Sequence, residues 1–493
     1  MVEGPPLAIS RKMTLRMPSD KTLNAKNLVA LGAERLAELL LYLVQGDAAA
    51  KRQLRLELAS HAGGGDVAAE IRKRLATIAK SKSFVDWHKA RAFAKDIESQ
   101  RAAIMKHVAP TQPADAVDLL WRFLDMAPSL YERCDDSNGT IGDIMDEALE
   151  NLGEVAKSAK LPATKLADRV FAAVCANGYA QFDGVIEELS EALGREGLSL
   201  LKTKFEALAK SPPAKQASGQ RRVIGTSSRG PIHEDDVAAE HHARLVRSAL
   251  TEIADALGDV DGYAARFTSE EQGNPAFAAD IAQRLLAAGR AAEALAALAR
   301  AEKTHAAGRS WPDFERVRIE VLEALGRSAE TQEARWAIFE RDLDADYLRA
   351  FLKRLPDFED EEAEIRAIAH ARADHDFHRA LAFLVNWPAP DDAAAHVLER
   401  QGDLDGGHYW LLTPAADALE QRHPLATTLM LQAMIAFALD KARVKRYGHA
   451  ARHLKTCAFL AKRVEDWRGA VDHDAWVADL KLRHGRKTAF WQA

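Results

Sequence analysis

Apolar residues recur at helical spacing from near the start of the chain, where Leu28, Leu31, Leu36, Leu39, Leu40 and Leu43 line one face before a stop at Gly46. Similar periodicity predicts further helices over about 48–60, 67–80, 84–107, 114–132, 143–158, 164–177 and 184–209, separated by short turns containing Gly, Pro or Asp. Asp66, after Gly63-Gly64-Gly65, is placed as a helix N-cap because its carboxylate can accept the free amide hydrogens of the next turn. Strand patterns are nearly missing, with a short extended piece at Arg221–Ile224.

The second half pairs its helices. PAFAADIAQRLLAAGRAAEALAALARAEK folds back at Gly289-Arg290, and RIEVLEALGRSAETQEARWAIF does the same at Gly326-Arg327. The two glycines are 37 residues apart, and Gly402 lies 76 beyond the second, close to two more steps. A period near the ~34 residues of tetratricopeptide repeats predicts an α-solenoid. A final hairpin is drawn from Leu425–Tyr447 and His449–Lys462 with Gly448 at its turn. The expected fold is all-α, a tetratricopeptide-like α-solenoid of paired helices in the C-terminal half and a helical bundle or solenoid in the N-terminal half. An irregular helical bundle is the alternative.

The same pattern divides the chain into a basic mobile arm (1–26, with Arg11, Lys12, Arg16, Lys21 and Lys26) and an all-helical domain (27–209). A Pro- and Gly-rich linker follows (210–235), then tetratricopeptide-like repeats (236–410) and a C-terminal hairpin with a basic-aromatic end (411–493). Composition agrees with this picture. Of 493 residues, 47% are hydrophobic, 28% charged and only 7% aromatic, which excludes collagen-like and disordered chains and disfavours a sandwich or barrel. The net charge of -6 provides no global field toward nucleic acid or anionic lipid, so such binding would have to be local. Three distant cysteines, Cys134, Cys175 and Cys457, form no disulfide framework or zinc ribbon. The apolar stretch LAELLLYLV is far shorter than a bilayer span, and the N-terminus has no secretory apolar core, so the expectation is a soluble, cytoplasmic protein without membrane contact.

No nucleotide or hydrolase motif occurs: there is no phosphate-loop, zinc-protease or nucleophile-elbow pattern. The loop Glu132–Asp143 concentrates polar groups, but aligned as a calcium loop it puts Cys134 and Met145 at ligand positions that need hard oxygens. Cys134, Asp135, Asp136 and Asn138 are therefore read as a turn whose side chains satisfy backbone amides, with an acidic contact site beside a thiol as the alternative. His449 and His453 share a helix face at a spacing able to chelate a metal, and Cys457 continues that face too far along for one ion. His370, His375 and His378 gather near Asp374 and Asp376. For all of these the structural role outweighs the metal one, and no metal or cofactor is expected.

The clearest electrostatic feature runs from Lys441 to Val464, with eight basic residues and no acid. Lys441, Arg443, Lys445, Arg446, Tyr447, Arg452, Lys455, Arg483, Arg486, Lys487 and Trp491 are the candidate partner-binding residues. Cations interleaved with aromatics suit an acidic protein segment, and equally a nucleic-acid backbone with stacked bases. Asp357–Glu364 holds six acids in eight residues and could cancel the patch from within.

Several stretches resemble a bacterial family, common in proteobacteria, known as a domain of unknown function. They include KTLNAKNLVALGAERLAELLL, FVDWHKARAFAKDI, LLWRFLDMAPSLYERCDDSNGT, RLPDFEDEEAE, HPLATTLMLQAMIAFAL, RYGHAARHL and RHGRKTAFW. The likeness is nearly full length. The C-terminal half is also similar to the helical region that follows a SWIM zinc segment in some bacterial proteins, although this chain carries no such segment. The resemblance implies an all-helical fold and brings no activity and no site residues. Taken together, the expected function is a non-enzymatic repeat scaffold for a protein or peptide partner, and the alternative is a nucleic-acid-associated protein using the basic arm and the C-terminal region.

Overall fold

A computed structural model describes residues 23–493 apart from 47–49, 53, 56, 59–63, 218–220, 229 and 304–309. Most of the basic arm, including Arg11, Lys12, Arg16 and Lys21, lies outside the described residues. The fold is all-α with one small hairpin. Helices of eight or more residues are labelled here. In the first half they are α1 (Ala33–Leu43), α2 (Gly64–Lys80), α3 (Trp87–Ala103), α4 (Pro113–Leu124), α5 (Thr140–Ala159), α6 (Ala163–Cys175) and α7 (Ser190–Ala209). After the hairpin β1 (Val223–Ser227) and β2 (Gly230–His233) comes α8 (Glu234–Ala256). The chain forms two compact units, Met1–Phe267 and Thr268–Ala493.

The first unit closes on one core. Ile71, Leu75 and Ile78 of α2 meet Leu120, Phe123 and Leu124 of α4, and the same cluster takes in Leu152 of α5, Phe205 of α7 and Ile253 of α8. Burying such side chains contributes roughly 1.5–3 kcal/mol each, which is what holds individually marginal helices in place. Helix α2 already runs at Gly64, so the backbone is helical at Asp66. A caps-from-side-chain arrangement does occur at Asp86, whose carboxylate accepts from the Lys89 N–H at 3.2 Å. Segment 210–235, expected to be a linker, carries the antiparallel β1–β2 hairpin. Arg221 at its base clamps Asp235 and Asp236 at the start of α8 at 2.9 and 2.5 Å, and this guanidinium holds the Asp235 carboxyl down to about 2. The chain then returns to the first core through Val246, Leu250 and Ile253, and the division into units falls after Phe267.

The second unit strings together α9 (Pro275–Ala287), α10 (Ala291–Glu302), α11 (Pro312–Ala324), α12 (Ser328–Asp342), α13 (Ala345–Leu352) and α14 (Glu359–Arg372). It continues with α15 (Phe377–Asn386), α16 (Pro390–Glu399), α17 (Tyr409–Leu419), α18 (Pro424–Asp440), α19 (Tyr447–Ala461) and α20 (His473–His484). Helices pack on their next and next-but-one neighbours in the chain, the contact pattern of an α-solenoid. Pro275, Pro312, Pro390 and Pro424 each open a helix, where a missing N–H costs no hydrogen bond.

One turn repeats. Gly289 and Gly326 adopt φ of 73° and 69°, and the next residue's N–H reaches back to Leu285 O at 2.8 Å and Leu322 O at 3.0 Å. Arg290 pairs with Glu293 and Arg327 with Glu330 in the same register. The same reach-back bond recurs at Ala389 N–H to Leu384 O (2.9 Å) and at Arg443 N–H to Ala438 O (2.8 Å). The later repeats are therefore marked by hydrogen bonding and not by glycine. Gly402 lies instead in a short 3-10 turn, Gln401–Asp403, and Gly448 lies inside α19. The turn of the last hairpin is Lys441–Arg446, with Ala442 at φ 48°. Among the described residues no helix is long and apolar enough to cross a membrane.

Candidate functional site

The α18–α19 turn decides which of the basic residues are available. Because Lys441, Arg443 and Lys445 sit on the turn and not on a packed helix face, all three are exposed and make no ion pair among the described residues. Arg446 folds inward so that its guanidinium lies 3.4 Å from the centre of the Tyr409 ring. Lys445, Arg446 and Tyr409 line a groove of about 230 Å³ between α17, α18 and α19, together with Gly406, Thr413, Met434, Ala438, His449, Ala450 and His453, while Lys441 and Arg443 stand on the adjoining turn. Trp410 is 65% exposed beside it, and Val444 63%.

The groove is built tightly on the side of its loop. Gly406 approaches α18 so closely that a Cβ there would stand 2.0 Å from the Ala433 carbonyl oxygen. Asp405 accepts from the Gly407 N–H at 2.8 Å and donates its own N–H to His378 Nε2 at 3.2 Å. The His378 ring stacks on His408 at 4.0 Å. Burial lowers the His378 pKa, with His408 adding to it. His449 Nδ1 accepts from the Arg452 guanidinium at 2.8 Å, while burial is also the main cause lowering the His453 pKa. A lining that combines the cations Lys445 and Arg446 with Tyr409 and small apolar groups suits a ligand that pairs negative charge with an apolar side chain.

Other members of the C-terminal set are placed elsewhere. Tyr447 is 6% exposed and meets the Phe490 ring edge-on, so it belongs to the core. Arg483 is held by Asp479 at 2.7 Å, and Lys487 donates to the Leu439 carbonyl. Trp491 donates its indole N–H to His484 O at 3.0 Å. Lys455 and Arg486 are exposed, Lys455 reaching the Ala493 carbonyl at 3.3 Å. Asp357–Glu364 does not cancel the patch: no ion pair among the described residues joins the two segments.

The polar loop faces a separate cavity, in the first unit. Cys134, Asp135, Asp136 and Asn138 line about 680 Å³ together with Arg91, Lys95, Glu98, Arg101 and Glu147. Asp136 accepts from the N–H groups of Ile141 (2.8 Å) and Gly142 (3.0 Å), satisfying the free amides at the start of α5. Asp135 accepts from Ser137 N–H, and Asn138 from Thr140 N–H. Arg101 is spent on Glu98 at 2.7 Å and Glu147 at 2.6 Å. Burial raises the Cys134 thiol pKa, which suppresses the thiolate a nucleophile needs. Cys457 is fully buried and its thiol is pushed up to about 12. Among the described residues no group of three or more His, Cys, Asp or Glu is placed to hold a metal ion. His370 is tied to Glu340 O at 2.8 Å, while His375 is exposed beside Asp374.

Tyr409, Trp410 and Gly406 escaped sequence reasoning. The run GGHYW, an aromatic pair beside two glycines, is the signal that could have found them.

One family model matches residues 18–493. The chain belongs to DUF6880, a family of unknown function. This DUF6880 chain matches no curated protein. Among solved structures it is matched to a circular tandem repeat protein with novel repeat topology and enhanced subunit contact surfaces, at 12% identity over 93% of this chain and 94% of that one. The TM-score is 0.16, too low to bear on fold or function.

Proposed function

We propose that this DUF6880 chain is a non-enzymatic, cytoplasmic helical-repeat scaffold whose α17–α19 groove takes a protein or peptide segment carrying acids next to an apolar side chain. The observation that carries the reading is the conjunction at the groove. Lys445 lines a small, largely apolar groove beside the Arg446–Tyr409 stack, and Lys441 and Arg443, exposed like Lys445 and without ion-pair partners among the described residues, stand on the same α18–α19 turn. Unpaired cations at a rim steer an acidic partner and set its register, while an apolar anchor in a desolvated pocket supplies most of the affinity. Tetratricopeptide-like solenoids suit such capture because stacked hairpins present extended surfaces.

Nucleic acid is the second reading, supported by the exposed cations and by Phe459, which is 60% exposed. It is weakened by the burial of Tyr447 and Phe490 and by the bonded indole of Trp491, which leave few rings for base stacking. The test is capture from the native host at near-native expression with and without nuclease, using wild type and Lys441→Glu/Arg443→Glu/Lys445→Glu. A stoichiometric, nuclease-resistant protein lost in the variant supports the reading. Material that nuclease or high salt removes favours the alternative, and a protein captured equally by both forms sinks the groove.

A further inference from the structure

The second unit carries a feature that no contact among the described residues explains. Phe358 stands at the entrance to α14 with φ 78°, a left-handed backbone conformation that is strained for a bulky residue and for which glycine is the default. Its ring nevertheless points into water, 80% exposed. Asp357, Glu359, Glu361 and Glu362 surround it, all exposed and without an ion pair among the described residues. Ile365, seven residues or about two helical turns beyond Phe358, is 69% exposed. Acids at the start of a helix are favoured by its dipole, which accounts for their position but not for a strained aromatic at their centre.

We infer that this acidic-aromatic knuckle of one chain docks into the α17–α19 groove of a second copy of the same chain. The inference rests on the groove reading above and names the groove's partner. Charge complementarity carries it. Among the described residues the chain bears four acids without ion pairs around an exposed ring at one place, and at another three cations without ion pairs on the turn beside a largely apolar pocket that Lys445 lines, and no ion pair joins the two in cis. The Phe358 ring fills the groove floor of Gly406, Thr413, Met434, Ala438 and Ala450, with Glu359, Glu361 and Glu362 against Lys441, Arg443 and Lys445. A reciprocal exchange of knuckles gives a closed pair, whereas one-way docking gives an open array.

Sedimentation equilibrium of the full chain tests this with three variants. Lys441→Glu/Arg443→Glu/Lys445→Glu reverses the groove, and Glu359→Lys/Glu361→Lys/Glu362→Lys reverses the knuckle. Phe358→Gly removes the ring while relieving the backbone, so a loss of association there is not a loss of folding. Wild type is expected to gain mass with concentration at low salt and to return toward one chain at high salt. Each charge reversal alone weakens self-association by about ten-fold or more, while an equimolar mixture of the two associates, because each knuckle then faces a groove of opposite sign. Phe358→Gly stays at the mass of one chain. A wild type that remains a single chain throughout, or a mixture of reversals that does not associate, overturns the inference. Host capture through the groove reads the underlying proposal independently, so the two can fail separately.

Discussion

Gly406→Ala is the substitution with the most sharply defined cost. The added Cβ would stand 2.0 Å from the Ala433 carbonyl oxygen, 2.4 Å from its carbon and 2.8 Å from the Met434 nitrogen. All three are backbone atoms in the middle of α18, so no side-chain rotation relieves the clash. The loop at Asp405–His408 or the helix itself must move by more than an ångström before ordinary contact is reached. Overpacking of this kind costs about 1–3 kcal/mol, and a backbone-on-backbone clash belongs at or above the upper end. For a unit of this size about 3 kcal/mol lowers the melting temperature by roughly 6–12 °C. Gly289→Ala provides the internal standard. It also lies in the second unit, has φ 73° and meets nothing within 4 Å, so it pays only for left-handed backbone, about 1 kcal/mol and roughly 2–4 °C. Thermal unfolding followed by circular dichroism at one concentration and pH compares them. If Gly406→Ala melts no lower than Gly289→Ala, the close approach of loop to α18 that shapes the groove is wrong.

Further outcomes follow from the same structure. Ala442→Gly, at φ 48° in the α18–α19 turn, is expected to raise stability by about 0.5–1 kcal/mol by relieving left-handed backbone, as read by denaturant midpoint; a loss would contradict the turn. Burial is the first cause lowering the pKa of His378, His396 and His453, so the fold favours their neutral forms. Their contribution is present above the ordinary value of 6.5 and is lost as pH falls below it toward the lowered values, which predicts a melting temperature that drops between about pH 7.5 and 5.5 and drops less in His396→Gln. A disulfide exchange reagent should modify Cys175 first, because Cys134 and Cys457 are buried, and simultaneous reaction of all three would contradict that burial.

Much of the helical order was legible because amphipathic periodicity is a local property. The helices expected over 143–158 and 164–177 are α5 (Thr140–Ala159) and α6 (Ala163–Cys175), whose ends fall within three residues of the expected bounds. The repeat was legible only where glycine marks it. Gly289 and Gly326 carry the turn openly, but the same backbone bond closes the turns at Leu384–Ala389 and Ala438–Arg443, where the residue types give no signal. Gly402 and Gly448 were misleading for the converse reason, since each lies away from such a turn. The basic stretch was visible as composition, yet which members are free depends on tertiary partners. Asp440 and Asp479 engage Arg483, and the core takes Tyr447, while Lys441, Arg443 and Lys445 stay exposed on a turn. Tyr409 and Trp410 are close to the groove only because α17 packs on α18, a contact no local pattern encodes.

The most direct test of the account is a fluorescence anisotropy titration of a labelled peptide spanning residues 354–366 against the full chain and against Lys441→Glu/Arg443→Glu/Lys445→Glu. Saturable binding to wild type that weakens with added salt and falls by about ten-fold or more in the variant is the predicted result. Binding that ignores the reversal, or no binding at low salt, would contradict the assignment of the α17–α19 groove as a site for acidic, apolar-anchored segments.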